Sequence, residues 1–264
     1  MIQIKNAEQL KTMRAAGRIA AEALALAGEA VREGITTKHL DTIIRAHIEK
    51  CGATPSFLGY SGFPGSACIS INDEVIHGIP SEERRLKEGD IVKIDVGAYY
   101  KGFHGDCAAT FGVGKISKEA ETLITATRES FFRGIAQAKP GNRIGDIGSA
   151  IESYLITFGF SVIRKYVGHG VGAQLHEAPD VPNYGTPGRG PRIFAGQTLA
   201  IEPMVSAGGY EVYEADDGWT VRTVDHSLTA HYEHSVAITE EGVIILTRLG
   251  DDMEPYDGNA DGLR

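Results

Sequence analysis

Four acidic side chains and one histidine stand where an ordinary solvated side chain would be out of place. Asp95 lies in VKIDVGAYY, Asp106 in FHGDCAATF, Glu202 in TLAIEPMV and Glu233 in TAHYEHSVAIT, while His169 sits between glycines in YVGHGVG. A lone buried Glu or His is more often structural, but the conjunction asks for more. Bare carboxylates cannot share a buried place, because desolvation and mutual repulsion are each costly. Divalent cations offset both. Five donors, four of them carboxylates, suit a pair of ions roughly 3.5–4 Å apart and bridged by carboxylate oxygens. An oxygen-rich set favours Mn, Fe(II), Co or catalytic Zn over a thiolate structural zinc site.

The elements that must position these groups can be read from the flanking residues. Alternation around Asp95 and Asp106 predicts two strands of an antiparallel hairpin. With the turn centred between Tyr100 and Lys101, position 95 falls opposite position 106, on one face. Two carboxylates placed that way are destabilising unless a cation neutralises them.

Upstream, Asn6 with Gln9 three residues on predicts a capped helix running to about Arg32. A second helix is expected from Thr37 to before Gly52, with Leu40, Ile44 and Ile48 on one face. Ser117 should cap a third helix ending before Pro140, and a fourth carries Ile147, Ile151 and Leu155 and stops before Gly159. The second and fourth helices match at a constant offset of 107, and EGDIVKID falls on AGQTLAIE at that same offset, bringing Asp95 onto Glu202. The reading is a duplicated α+β fold with two pseudo-symmetric halves, about 1–115 and 116–250, one on each side of a pseudo-twofold axis. The remaining 251–264, GDDMEPYDGNADGLR from Gly250 onward, is acidic and turn-rich and is expected to be flexible.

His77, in ISINDEVIHGIP, and His176, in GAQLHEAPDVPNYG, are ordinary by themselves. Beside a metal pair they become candidates for contacts to substrate and to a tetrahedral intermediate. His104 and His234 adjoin the acids and are read as their supports or as plain structure. His39, His47, His226 and His231 are read as ordinary.

Composition narrows the function classes. A net charge of −9 gives no basic field for a phosphate backbone, so no direct nucleic-acid binding is expected. No apolar run approaches the length of a spanning helix, and the N-terminus lacks the apolar stretch of a signal peptide. Cys51, Cys68 and Cys107 are odd in number without CxxC spacing, which suits reduced thiols and a cytoplasmic location.

At SFLGYSGFPGSACISINDEVIHGIP, IVKIDVGAYYKGFHGDCAATF, YVGHGVG, LHEAPDVPNYG, LAIEPMV and DGWTVRTVDHSLTAHYEHSVAITEEG, the chain resembles the type I methionine aminopeptidases in their minimal bacterial form. The resemblance spans about residues 3 to 248. The ordered D…D…H…E…E set marks the whole pita-bread superfamily, whereas HGIP, YSGFP, DGWT and YEH point to the methionine-specific branch.

The resemblance implies a single pita-bread catalytic domain over 1–250. It makes Asp95, Asp106, His169, Glu202 and Glu233 the ligands of two divalent ions (Co, Mn, Fe(II), Zn or Ni), with Asp106 and Glu233 bridging. A bridging water or hydroxide would attack the first peptide carbonyl, with Glu202 passing the proton to the leaving amine. His176 would stabilise the oxyanion, and His77 would hold the scissile amide nitrogen. Phe57, Tyr60, Phe63, Cys68, Leu175 and Trp219 would line the slot for the methionine side chain. A flexible thioether packs well on aromatics and sulfur. Substrates would be N-terminal methionyl peptides and nascent chains with a small second residue. The expected protein is a cytoplasmic monomer without a membrane partner, and transient contact with ribosomes is compatible with it.

Departures stand beside the resemblance. Gly97 occupies a place where many members carry threonine, Phe57 replaces a common cysteine and Phe63 a common tyrosine. Two rival readings are a prolidase or aminopeptidase P of the same fold, and a metal-free relative serving as a binding module or a creatinase-like hydrolase.

Overall fold

The computed structural model describes residues 2–250 and 252–257. Helix α1 (Ala7–Ala30) starts at the expected cap. The Asn6 side chain accepts from the Gln9 amide and the Asn6 N–H donates to Gln9 Oε1, which satisfies two donors that a first turn leaves open. Helices α2 (Thr37–Lys50), α3 (Lys118–Ile135) and α4 (Ile144–Ile156) follow. Thr36 and Ser117 cap α2 and α3 through their hydroxyls.

In the first half the strands are β1 (Thr54–Pro55), β2 (Ala67–Ile71), β3 (Glu74–Ile76), β4 (Ile91–Tyr100) and β5 (Phe103–Gly112). The second half carries β6 (Ser161–Val162), β7 (Gly168–Gly170), β8 (Glu177–Val181), β9 (Thr198–Ile201) and β10 (Met204–Ser206). After these come β11 (Val212–Glu214), β12 (Val221–Thr223), β13 (Thr229–His231), β14 (Glu233–Ile238) and β15 (Val243–Ile245). The main sheet is antiparallel in the order β1-β4-β5-β14-β9-β7-β8, with β2 also on β4 and β15 also on β14.

Strand alternation divides this sheet between two environments. Ile94 and Val96 of β4, Cys107 and Ala109 of β5, and Val236 and Ile238 of β14 enter the core that the helices cover. Asp95, Asp106 and Glu233 have the opposite parity and face away from it, lining a cavity. Helix α1 reaches β5 by a close approach of two glycines: a Cβ on Gly105 would stand 2.5 Å from the Gly17 Cα.

The second half repeats the first in detail. At the offset of 107, Gly34 and Gly141 have φ of 80° and 94°, Gly52 and Gly159 72° and 78°, and Gly89 and Gly196 89° and 86°. The isolated bridge Thr36–Arg85 has its counterpart in Arg143–Arg192. The bond from the Gly34 amide to the Leu86 carbonyl recurs from Gly141 to Ile193.

In the segment expected to be flexible, residues 252–257 lie along the body. The Asp252 carbonyl accepts from Arg14 Nε at 3.0 Å, the Tyr256 N–H donates to the Val243 carbonyl at 2.7 Å, and the Tyr256 ring stacks on Phe132. Residues 251 and 258–264 of that expectation lie outside the described residues. Among the described residues no helix is long and apolar enough to cross a membrane.

Candidate metal centre and substrate cavity

The β4–β5 hairpin turns one residue later than expected, which shifts the pairing by two and corrects the expected register. Its two-residue turn is Lys101–Gly102, both left-handed at φ 47° and 92°, so Tyr100 pairs with Phe103. Consequently Asp106 lies opposite Gly97 and Asp95 opposite Ala108. A turn with both central residues at positive φ matches the twist of the flanking strands, and Gly102 is the residue that permits it. The slip is by two, so parity survives and both aspartates keep the same face as diagonal neighbours.

The other groups come from the second half. Glu233 opens β14 opposite Ala108, His169 lies in β7 opposite Ala200, and Glu202 follows the last residue of β9. Asp106 is tied to β14 through Ser235, whose hydroxyl accepts from the Asp106 amide and donates to its carbonyl. The Asn183 side chain donates to the Glu202 carbonyl at 2.9 Å. The His169 Nε2 stands 3.4 Å from Glu202 Oε1 and 4.0 Å from Asp106 Oδ2, while its Nδ1–H can donate to the Gly170 carbonyl at 2.9 Å.

Asp95 Oδ1, Asp106 Oδ1 and Glu233 Oε1 are buried without a hydrogen-bond partner. Buried acceptors are nearly always satisfied, so these orphans mark a place for a cation. Donor atoms of Asp106, His169 and Glu233 lie within 4.8 Å of one another, and so do those of Glu202, His231 and Glu233. The donor set fits divalent ions.

One cavity of about 380 Å³ is lined by the five expected ligands, by His77 and His176, and by the six residues expected to receive the methionine side chain. The acids and His169 form one part of its wall. Phe57, Phe63, Cys68 and Leu175, with Trp219 and Ile79 against them, form a separate apolar cluster at another. The Phe63 and Trp219 rings meet edge to face at 5.1 Å between centroids.

His77 takes a left-handed backbone at φ 60°, and its ring lies edge-on to Tyr166 and Trp219. Burial, then the neighbouring His176, lowers its pKa to about 4, so it is neutral near pH 7. His176 is exposed at the mouth, its Nδ1 2.9 Å from the Tyr60 hydroxyl and its ring 4.1 Å from that of His169. Although its residue is exposed, partial desolvation of its ring by the cavity wall lowers its pKa also.

Without metal the carboxyls resist ionisation. Burial pushes Asp106 up to about 7, and burial plus the neighbouring carboxylates raises Asp95, Glu202 and Glu233. In an unfolded chain such groups titrate near ~4. A raised folded pKa adds stability that is full below the unfolded value and is lost as pH rises through the folded one. The histidines act in the opposite sense. His169 and His231, lowered by burial to about 3, add stability above their ordinary range that is lost on acidification. Substituting one acid isolates its own term. In chelated protein, Glu233→Gln is expected to melt above the parent, with the gap widening from pH 5 to pH 8. A gap that is constant or shrinks over that range would contradict the assignment.

The Gly97 departure has a packing explanation. A Cβ there would stand 2.7 Å from Ser56 Cβ and 2.8 Å from Phe57 Cε1, so Ser56 and the phenyl ring together fill the space that a larger residue 97 would need. Gly97→Thr is expected to cost ~1–3 kcal/mol by overpacking. Adding Phe57→Cys should recover part of that cost, the Ser56 contact remaining, in a double-mutant cycle by urea denaturation. Additive effects of the two changes would show the sites to be independent.

His234, next to Glu233, points the other way. It bonds to Thr247 and Tyr232 and packs its ring on Phe131 of α3, so it is structure. His104 bonds to the Ser56 hydroxyl and packs on Tyr99. Sequence reasoning missed Tyr166 and Ile76 on the cavity wall, and His231 beside the acids. The signal for His231 was its spacing of two from Glu233, which puts both on one face of an extended chain. Tyr166 sits in a loop and carried no such signal.

Residues 11–240 match the sequence profile of Metallopeptidase family M24. A methionine aminopeptidase of Clostridium perfringens is 56% identical over 249 residues, spanning 94% of this chain and 100% of that one. The crystal structure of the methionine aminopeptidase from Thermotoga maritima superimposes with a TM-score of 0.92 at 46% identity, covering 94% of this chain and 99% of that chain. Prolidase from Pyrococcus furiosus shares the fold, with a TM-score of 0.77 at 24% identity over 94% of this chain and 66% of that chain. The chain therefore belongs to the M24 metallopeptidases, hydrolases of the pita-bread fold that use divalent metal. Within that family it falls among the type I methionine aminopeptidases, the branch to which HGIP, YSGFP, DGWT and YEH point.

Proposed function

We infer that this chain removes the N-terminal methionine from peptides and nascent proteins whose second residue is small. The observation that carries the reading is one cavity lined both by a cluster of unpartnered acidic oxygens and by an apolar recess of aromatic, aliphatic and sulfur-bearing side chains. Asp95, Asp106, His169, Glu202 and Glu233 hold two divalent ions, drawn from Co, Mn, Fe(II), Zn or Ni. Bound there, such ions supply a water of lowered pKa and polarise the carbonyl.

The chain's own groups do the rest. Phe57, Tyr60, Phe63, Cys68, Leu175 and Trp219 receive the methionine side chain, and its α-amino group is held on the Asp95 side. That requirement for a free amine makes the enzyme an exopeptidase. Neutral His77 hydrogen-bonds the scissile amide. Glu202 accepts a proton from the attacking water and delivers it to the departing amine. His176 donates to the oxygen on which charge develops. The protein works as a monomer in the cytoplasm, free of membrane and nucleic acid, with nascent chains reaching it during transient contact with ribosomes.

The test is a metal-reconstituted assay on methionyl peptides that differ only at the second residue, beside an Xaa-Pro peptide. Cleavage is expected after methionine and fastest before Gly, Ala or Ser. Cleavage of the Xaa-Pro bond alone would overturn the reading in favour of a prolidase. Full activity in chelator with no bound metal would favour a metal-free hydrolase.

A further inference from the structure

His231 is 1% exposed, and among the described residues neither of its ring nitrogens has a hydrogen-bond partner. Its main chain is pinned from β5, where the Thr110 hydroxyl accepts from the His231 amide and donates to its carbonyl. It is also paired with Met204 across β13 and β10. The ring is thereby delivered to the acids from a fixed backbone. Its Nε2 stands 3.7 Å from Glu202 Oε2 and 3.8 Å from Glu233 Oε2.

Those separations are too long for hydrogen bonds. They approach the spacing of two donors on one cation. Atoms about 2.1 Å from a common ion, at angles of roughly 90–125°, lie about 3.0–3.7 Å apart. The pair His169 Nε2 and Glu202 Oε1, at 3.4 Å, falls in the same range. A histidine serving only as core would show a bond to a neighbour, as His234 does to Thr247.

We propose that His231 Nε2 is a sixth donor of the metal centre, on the ion shared by Glu202 and Glu233, so that the centre carries two imidazoles. The proposal rests on reading the acidic cluster as a divalent-metal centre. A second imidazole would shift the preference of that ion from Mn towards Co, Ni or Zn.

The test is proton NMR of the full chain loaded with Co(II), in which the ring N–H of each ligating imidazole is shifted far outside the ordinary window. Two solvent-exchangeable shifted signals are expected in the unaltered protein, from His169 and His231, and one in His231→Gln. Co(II) affinity of the weaker equivalent should fall about tenfold to a hundredfold in that variant, measured by competition with a chelating dye. A single shifted signal in the unaltered protein overturns the proposal, whatever the variant does, and leaves the metal-centre reading intact. Absence of bound Co(II) and of any shifted signal overturns both.

Discussion

Glu233→Ala is expected to lower kcat/KM on a methionyl peptide by at least about a thousandfold. Glu233 supplies a donor to both three-residue groups, Asp106–His169–Glu233 and Glu202–His231–Glu233, so its loss would weaken both candidate groups for divalent metal at once. The charge stabilisation that bound metal lends is worth several kcal/mol, and ~4 kcal/mol corresponds to about a thousandfold in rate. Metal content after dialysis should fall in parallel. Misfolding can be told apart, because chelated Glu233→Ala should retain its circular dichroism: the change removes a buried carboxyl whose ionised form burial and neighbouring acids disfavour. Asp106→Ala should behave similarly. A Glu233→Ala protein that keeps its metal and works within tenfold of the parent would remove Glu233 from the centre.

His176→Ala should lower kcat by roughly 10²–10³ with little change in KM, the magnitude expected for loss of one oxyanion donor. The Tyr60 hydroxyl lies 2.9 Å from His176 Nδ1. When that hydroxyl donates, the neutral imidazole carries its proton on Nε2, the form able to donate to a developing oxyanion. Burial lowers the His176 pKa, so the neutral form prevails near pH 7. Tyr60→Phe should therefore reduce kcat by a smaller factor, about threefold to tenfold, as the tautomer preference is lost. An unchanged kcat in His176→Ala, measured at saturating peptide, would exclude this histidine from the reaction.

Much of the architecture was legible before any coordinates. Asn6 with Gln9 and Ser117 mark helix starts because caps are chosen by local hydrogen bonding. The 107-residue echo was readable because equivalent turns in both halves demand the same left-handed glycines. Parity along the hairpin assigned Asp95 and Asp106 to one face, and it was the pairing of β14 with β5 that brought Glu233 onto it.

The residue types and the strand period by themselves determined a duplicated α+β chain with a set of acids too costly to bury without cations. Those are local or additive properties, set by dihedral preference, side-chain charge and the alternation of a pleated strand. Tertiary structure alone decided which groups meet. The Lys101–Gly102 turn moved the Asp95 register by two residues, because a hairpin's pairing is set by the dihedral angles of its turn and not by the strands. Ser56 and the Phe57 ring claimed the space beside Gly97. His231, read as ordinary along the chain, came within 3.8 Å of two acids once β13 paired with β10 and Thr110 gripped its backbone. Contacts such as that of Thr110 with His231, 121 residues apart, depend on sheet order and crossing geometry, which no window of neighbouring residues contains.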